Sequence, residues 1–402
     1  MIRIARATVI TLRIFWFHHA LAKVLAMQRR TFVKSFVGAI AMTPLVTFFP
    51  ANLSLASELG RKKLQRAIDV LDQATASKQV ESAVLYVQQR GAVVSQSFGK
   101  AASADAMFLL GSITKPINIA AVMKQFDEGK FALADRVKKY LPKFTGDGRD
   151  EVTIGHLLTH TSGLPDQVAD NAELRKNHAP LGEFAEHAMR EPLGFAAGSQ
   201  YGYSSMGILL ATRIAEIVSG ADILTLVAET VLQPLEMKHS AQGLGAFEIG
   251  SLVRCQMDGA APESGGGDPT SKEWDWNSAY WRKLGAPWGG LHASAPDIGR
   301  FLAEFLYQQG KVVKPATALR MTTNQNPRGL TPRGLGFDVG PLSGSKGCSE
   351  KTFGHTGSTG TLCWADPASE TICVVLTSLP RRAVQPHPRE LAADQVALAT
   401  ET

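Results

Sequence analysis

Cysteine is scarce: Cys255, Cys348, Cys363 and Cys373 are the four in 402 residues. So few thiols exclude a small disulfide-stapled scaffold, and their spacing is not that of a metal site. Acidic residues are missing altogether from residues 1–56, which hold seven Lys and Arg. Taking those seven from the formal +6 leaves residues 57–402 at −1, so the basic balance belongs to the leading segment. The body of the chain therefore offers no electrostatic case for nucleic-acid binding. Beyond residue 56 there is no apolar run of about 18 residues, which excludes a further membrane span of the helical kind. Also absent are a G-x-S-x-G pentapeptide and a G-x-x-x-x-G-K-[ST] phosphate loop. The whole chain, 45% hydrophobic and 19% charged, has the composition of a globular protein and is long enough for a large core or two lobes.

The leading segment has a composition of its own. From Met27, "MQRRTFVKSFVGAIAMTPLVTFFPANLSLAS" has a basic start, an apolar run from Phe36 to Phe49, and small residues Ser54 and Ala56 suited to cleavage. Arg29-Arg30 followed by Thr31-Phe32-Val33-Lys34 resembles a twin-arginine export signal. Residues 1–56 are expected to be a targeting segment and the rest an exported, periplasmic protein. The alternative is a basic amphipathic helix or an uncleaved anchor.

After it, "RKKLQRAIDVLDQATAS" reads as an amphipathic helix, and "AVLYVQQ", "RGA" and "VVSQSFG" as a hairpin. Helical periodicity follows in "INIAAVMKQFDEGK", in "TIGHLLTHTSG" from a Thr153 cap to Gly163, and in "MGILLATRIAEIVSG" to Gly220. Residues 259–271, "GAAPESGGGDPTS", are a surface loop. Next come Trp274, Trp276, Trp281 and Trp288, expected to form a core cluster rather than a substrate wall. Strand chemistry returns in "LGFDVGP" and in the hairpin "GTLCWADPASETICVVLTS". With strands at both ends and helices between, the expected fold is α/β (α+β). An antiparallel sheet flanked by helices is closed by both termini and carries an all-helical insertion. The lobes would be 57–111 with 286–402, and 112–285. Cys363 and Cys373, either side of "ADPASE", are expected to be two buried thiols, with a cross-strand bridge as the alternative.

The stretch "FLLGSITKP" puts Ser112 and Lys115 three residues apart where an apolar run gives way to a helix. On a helix, i and i+3 share a face, so the hydroxyl and the amine would stand together. A serine is a poor nucleophile without a base, and an amine of depressed pKa is one. The helix start also leaves N–H groups without partners, so Ser112 N–H is a candidate oxyanion donor.

The segments "FLLGSITKPINIAAVMKQFDEGKFALADRVKKYLP", "VTIGHLLTHTSGLPD", "YGYSSMGILLATRIAEIVSG", "GGLHASAPDIGRFL" and "FGHTGSTGTLCWADP" together, and in this order, resemble the serine β-lactamase-related family. That family holds class C β-lactamases, D-Ala-D-Ala carboxypeptidases and β-lactamase-like esterases. The resemblance implies that Ser112 is the acylated nucleophile, Lys115 its basic partner and Tyr203 the proton shuttle of the second motif. Tyr201 is a competitor for that last role. A shuttling phenol, which ordinarily titrates near 10, would need the lysine cation nearby. His355-Thr356-Gly357 matches the third motif on an edge strand, with Ser358 N–H as second oxyanion donor. Gly357 is expected to keep that strand open to substrate backbone.

Two departures bear on substrate. Ser205 stands where the family usually has Asn, and a hydroxyl reaches less far than an amide. His355 replaces a fixed positive charge that would favour a substrate carboxylate. Both weigh against β-lactams and toward esters or D-Ala-type peptides. The expectation is thus a serine hydrolase acting through an acyl-enzyme on a small ester, peptide or β-lactam, with no cofactor and no metal. The alternatives are a penicillin or cell-wall-peptide binding protein without turnover, a class C-like β-lactamase, and a partner-binding surface built from the tryptophan-rich loop. His156 and His160 stand at a zinc-pair interval, but Leu157 occupies the place of the glutamate such a motif needs, so they are expected to be structural. Asp127-Glu128 reads as a solvated helix end.

Overall fold

A computed structural model describes residues 60–400. The targeting segment expected over 1–56 lies outside the described residues. Among the described residues no helix is long and apolar enough to cross a membrane.

Helix α1 (Gln65–Ala76) buries Ala67, Ile68, Leu71 and Ala74, the spacing of one helical face. Strands β1 (Ser82–Gln89) and β2 (Ala92–Gly99) form the expected hairpin. Its turn residues Arg90 and Gly91 have φ of 47° and 84°, the left-handed pair that matches strand twist. The short strand β3 (Phe108–Leu109) leads into Ser112. Helices α2 (Thr114–Asp127), α3 (Ile154–Leu158), α4 (Asn171–Lys176), α5 (Leu181–Ala188), α6 (Ser205–Ser219) and α7 (Ile223–Val227) follow. Then come β4 (Ser240–Gln242), α8 (Ala279–Leu284), β5 (Leu291–Ala293), α9 (Ala295–Leu306) and α10 (Pro315–Thr322). The chain closes with β6 (Asp338–Val339), β7 (Phe353–Gly357), β8 (Thr361–Asp366), β9 (Thr371–Thr377) and α11 (Pro388–Thr400).

The main sheet has the order β2-β1-β9-β8-β7-β6, every neighbour antiparallel, so strands from both ends of the described chain meet at β1 and β9. Alternation along the strands supplies two cores. Ala83, Leu85, Val87, Cys373 and Val375 face α1 and α11, whereas Val84, Tyr86, Cys363, Val374 and Leu376 face the helical body. Cys363 lies opposite Val374, and Cys373 opposite Trp364, so the two thiols point to opposite faces. They stand as free buried cysteines, and a bridge between them is sterically excluded.

Two helices place the chemistry. α2 is buried on nearly all sides, as a helix at the centre of a large core must be. α6 starts where Ser204 Oγ accepts the Gly207 N–H at 2.8 Å and ends at Gly220, φ 79°. Two of the expected elements differ. The helix expected to run to Gly163 stops at Leu158, because His160 adopts a left-handed φ of 60°. Asp127 is a docking point rather than a solvated end. Its carboxylate accepts the Lys314 N–H and the Thr317 hydroxyl, each at 2.6 Å, and so anchors the start of α10.

Candidate active site

Ser112 sits in the 3₁₀ turn Gly111–Ile113, and Lys115 in the first turn of α2. The amine donates to Ser112 Oγ at 2.9 Å and to Trp288 O at 2.9 Å. Trp288 is delivered there by the small sheet β3-β5-β4, which joins the strand before Ser112 to the segment 291–293. Lys115 is 1% exposed. Burial pushes its amine down from 10.5 to about 7; the Asp166 carboxylate resists, the Arg333 cation adds to the fall, and Asp338 resists in turn. A lysine in this state is a free amine for much of the time at neutral pH, already hydrogen-bonded to the hydroxyl it would deprotonate.

Tyr203 immediately precedes the cap of α6. Lys115 Nζ lies 4.8 Å from the centroid of its ring, and the Arg333 guanidinium carbon 5.7 Å. Burial raises the phenol well above its ordinary value, with Arg333 the largest opposing influence and the Ser112 hydroxyl the next. Of the two competing tyrosines, Tyr203 therefore faces the serine and the lysine. Arg333 joins the expected Lys115 as a cation beside that ring. His160 packs against Tyr203 with centroids 4.6 Å apart and the rings tilted by 42°, and its Nδ1 accepts the Ser204 N–H at 3.2 Å. His156 closes a capping box with Thr153. His160 thus shapes the turn that presents "YGYSS", and His156 fixes the start of α3. Among the described residues no three His, Cys, Asp or Glu side chains converge to hold a metal ion.

On β7, His355 Nδ1–H donates to Thr356 O at 2.8 Å and its Nε2 accepts from Arg333 Nη2 at 3.0 Å. Those partners require the neutral ring protonated at Nδ1. Burial is the main reason its pKa drops to about 4. Arg333 is fully buried, pairs with Asp338 and donates to Gly336 O at 3.0 Å. The fixed positive charge absent at position 355 is therefore present just behind it, already neutralised by a carboxylate. Thr356 and Ser358 line the cleft.

Gly357 has a different duty from the one expected. A Cβ there would lie 2.1 Å from Leu110 O and 2.2 Å from Thr361 Oγ1, so the glycine lets β7 approach the chain entering Ser112. Thr359 Oγ1 donates to Leu109 O at 2.7 Å and Thr361 Oγ1 to Leu110 O at 2.6 Å, stitching the β7–β8 hairpin to that same segment. Gly111, at φ 56°, makes the reciprocal approach: a Cβ on it would come within 3.1 Å of Ser358 N. The segment that carries Ser112 and the Ser358 N–H are thus held side by side by backbone contact.

The cleft has a volume of about 430 Å³ and opens over Ser112, Lys115, Tyr203 and Ser358. Trp276, Trp281 and Trp288 line it while remaining 2–5% exposed, so they are core cluster and cleft wall at once. Ser205 is not free to reach substrate in the manner expected: its N–H and hydroxyl both bond Asp166 Oδ1, at 2.9 and 2.6 Å. Asp166 is the residue most easily missed from sequence. It closes "SGLPD", and only the fold brings it to Ser205 and into the cleft. Arg333, Asp338, Arg381 and Arg382 join the site for the same reason.

The Beta-lactamase family model matches residues 67–398, and the chain belongs to that family. A protein of Escherichia coli (strain K12) that bears the name D-alanyl-D-alanine carboxypeptidase is 28% identical over 313 residues, covering 70% of this chain and 71% of its own. Esterase EstB of Burkholderia gladioli is 32% identical over 194 residues, 42% of this chain and 49% of its own length. Among solved structures, EstCE1, described as a hydrolase with promiscuous acyltransferase activity, is similar with a TM-score of 0.69 at 20% identity, over 84% of this chain and 100% of that one. The family and the antiparallel α/β fold expected from the five ordered segments are both met.

Proposed function

We propose that this chain is a serine hydrolase that cleaves esters through an acyl-enzyme on Ser112. The observation that carries the reading is the 2.9 Å bond between Ser112 Oγ and an amine that burial has brought to about 7. In the forward step Lys115 takes the Ser112 proton as Oγ attacks the carbonyl carbon. The Ser112 and Ser358 N–H groups hold the developing oxyanion. Tyr203, a protonated phenol beside both groups, passes a proton to the departing alcohol and is reprotonated from Lys115. Water then repeats the sequence in reverse sense and frees the acid. D-Ala-type peptides are the second substrate class, supported by the name of the carboxypeptidase relative.

Esters rank first because the Ser205 hydroxyl is engaged by Asp166 and offers no amide to grip a peptide or lactam carbonyl. Rapid mixing of residues 57–402 with a chromogenic butyrate ester tests the reading. A burst followed by steady turnover, absent in Ser112→Ala, is expected. Equal rates in the two proteins would overturn it. Acylation by penicillin without release would favour the binding-protein alternative.

A further inference from the structure

Behind the hairpin that carries Ser358 lies a buried cation that touches no reacting atom. Arg389, near the start of α11, is fully buried. Its Nη1 donates to Gly357 O at 2.6 Å and to Thr361 O at 2.7 Å. The carboxylate paired with it, Glu390, is half-exposed and stands 3.5 Å away, and Nε has no partner among the described residues. Burial lowers this guanidinium to about 10, which leaves it charged at neutral pH. Enclosing a charge in the core is costly unless it is well paired. Here the pairing is with two main-chain carbonyls of the β7–β8 hairpin, one of them at the end of the strand that lines the cleft.

The geometry of one peptide unit gives that pairing a consequence. The Gly357 carbonyl and the Ser358 N–H belong to the same amide, and the unit is trans, so the two groups point in opposite directions. The carbonyl faces Arg389 and also accepts the Gly360 N–H at 3.2 Å. The N–H therefore faces the other way, toward Gly111 and the cleft, and it has no acceptor among the described residues. A charged donor on the carbonyl draws electron density from the amide and strengthens its N–H as a donor, the usual cooperativity of linked hydrogen bonds, on the order of 10–30% per bond.

We propose that Arg389 is a positioning residue for the oxyanion hole: by holding the Gly357 carbonyl from behind, it aims the Ser358 N–H at the substrate carbonyl and sharpens it as a donor. The inference rests on the acyl-enzyme reading of Ser112.

The test compares the full described domain with Arg389→Met and Arg389→Lys, each rate normalised to active sites by its burst. Arg389→Met is expected to lower kcat about tenfold, a fraction of the loss that deleting an oxyanion donor outright brings, with KM within twofold. Affinity for phenylboronic acid, which adds the Ser112 oxygen to boron as that oxygen loses its proton, falls by the same factor. The infrared stretch of a ¹³C-labelled butyryl ester on Ser112 moves to higher frequency, reporting a less polarised carbonyl. Arg389→Lys, which keeps a cation for one carbonyl, recovers part of each effect. If Arg389→Met does not fold, the lysine variant still reads the boronate affinity and the stretch, and intermediate values support the proposal. An unchanged kcat per active site, or an unchanged stretch and boronate affinity, would overturn it and leave Arg389 as a pin between α11 and the sheet. A wild-type protein without a burst would remove the acyl-enzyme reading itself, and that result is seen before any Arg389 variant is made.

Discussion

Protonation of Lys115 is expected to govern the acid limb of the reaction. With its amine at about 7 instead of 10.5, the site holds about a thousandfold more free base at neutral pH than a solvated lysine would. Only the neutral amine accepts the Ser112 proton. On the acid side, kcat/KM should then fall tenfold per pH unit below about 7 and level off above it. Burial sets the position of that limb and three charges adjust it: Asp166 and Asp338 hold the proton on, and Arg333 drives it off. Asp166→Asn removes the largest attractive charge, so the limb moves to lower pH. The displacement is expected to stay under one unit, because Asp166 faces water and its field is screened. Arg333→Met moves the limb to higher pH, the opposite direction. The assay is hydrolysis of a chromogenic ester from pH 5 to 9.5 at constant ionic strength, with Asp166→Asn and wild type compared on the plateau as well as the slope. A flat profile through pH 7, or a limb that moves up in Asp166→Asn, would refute the assignment of Lys115 as base.

Other outcomes follow from the same geometry. The unfolded chain keeps the Lys115 proton up to 10.5 and the folded one releases it near 7, so the unfolded state binds more protons in that window and stability rises with pH across it. Lys115→Met should therefore raise Tm while abolishing turnover. The gain should be largest at pH 6, on the order of a few kcal/mol, and shrink toward pH 10 in thermal melts. Gly357→Ala forces a Cβ onto Leu110 O and should cost about 1–3 kcal/mol together with most activity, measured by melting and ester turnover. Ser205→Asn returns an amide to that position, and the ratio of amide to ester hydrolysis is expected to rise. An unchanged ratio would mean that Ser205 does not set substrate class.

The serine and lysine were legible as a pair from their local spacing, and the tyrosine from the resemblance that the ordered segments carry. Ser112 and Lys115 share a helical phase, and Tyr203 is tied to the start of α6 by the residues that follow it. The sheet was legible from two hairpins whose turns carry their own signals, Arg90-Gly91 in the first and "ADPASE" in the second. Asp166 was not, since its bond to Ser205 joins residues 39 apart in a loop without periodicity. Arg333 and Asp338 escaped for a related reason: a buried ion pair looks in sequence like two surface charges. The duty of Gly357 was misread because the atoms that exclude a side chain there, Leu110 O and Thr361 Oγ1, include one some 250 residues earlier in the chain. His160 ended its helix early by adopting a backbone conformation that side-chain periodicity does not report.

The central claim is a covalent bond between Ser112 Oγ and the acyl group of an ester. Intact-protein mass spectrometry, on samples quenched in acid within the burst phase, tests it most directly. One acyl group per chain, mapped to the peptide containing Ser112 and absent from Ser112→Ala, is the result expected. Turnover without any trapped acyl group, or acylation at another residue, would contradict it.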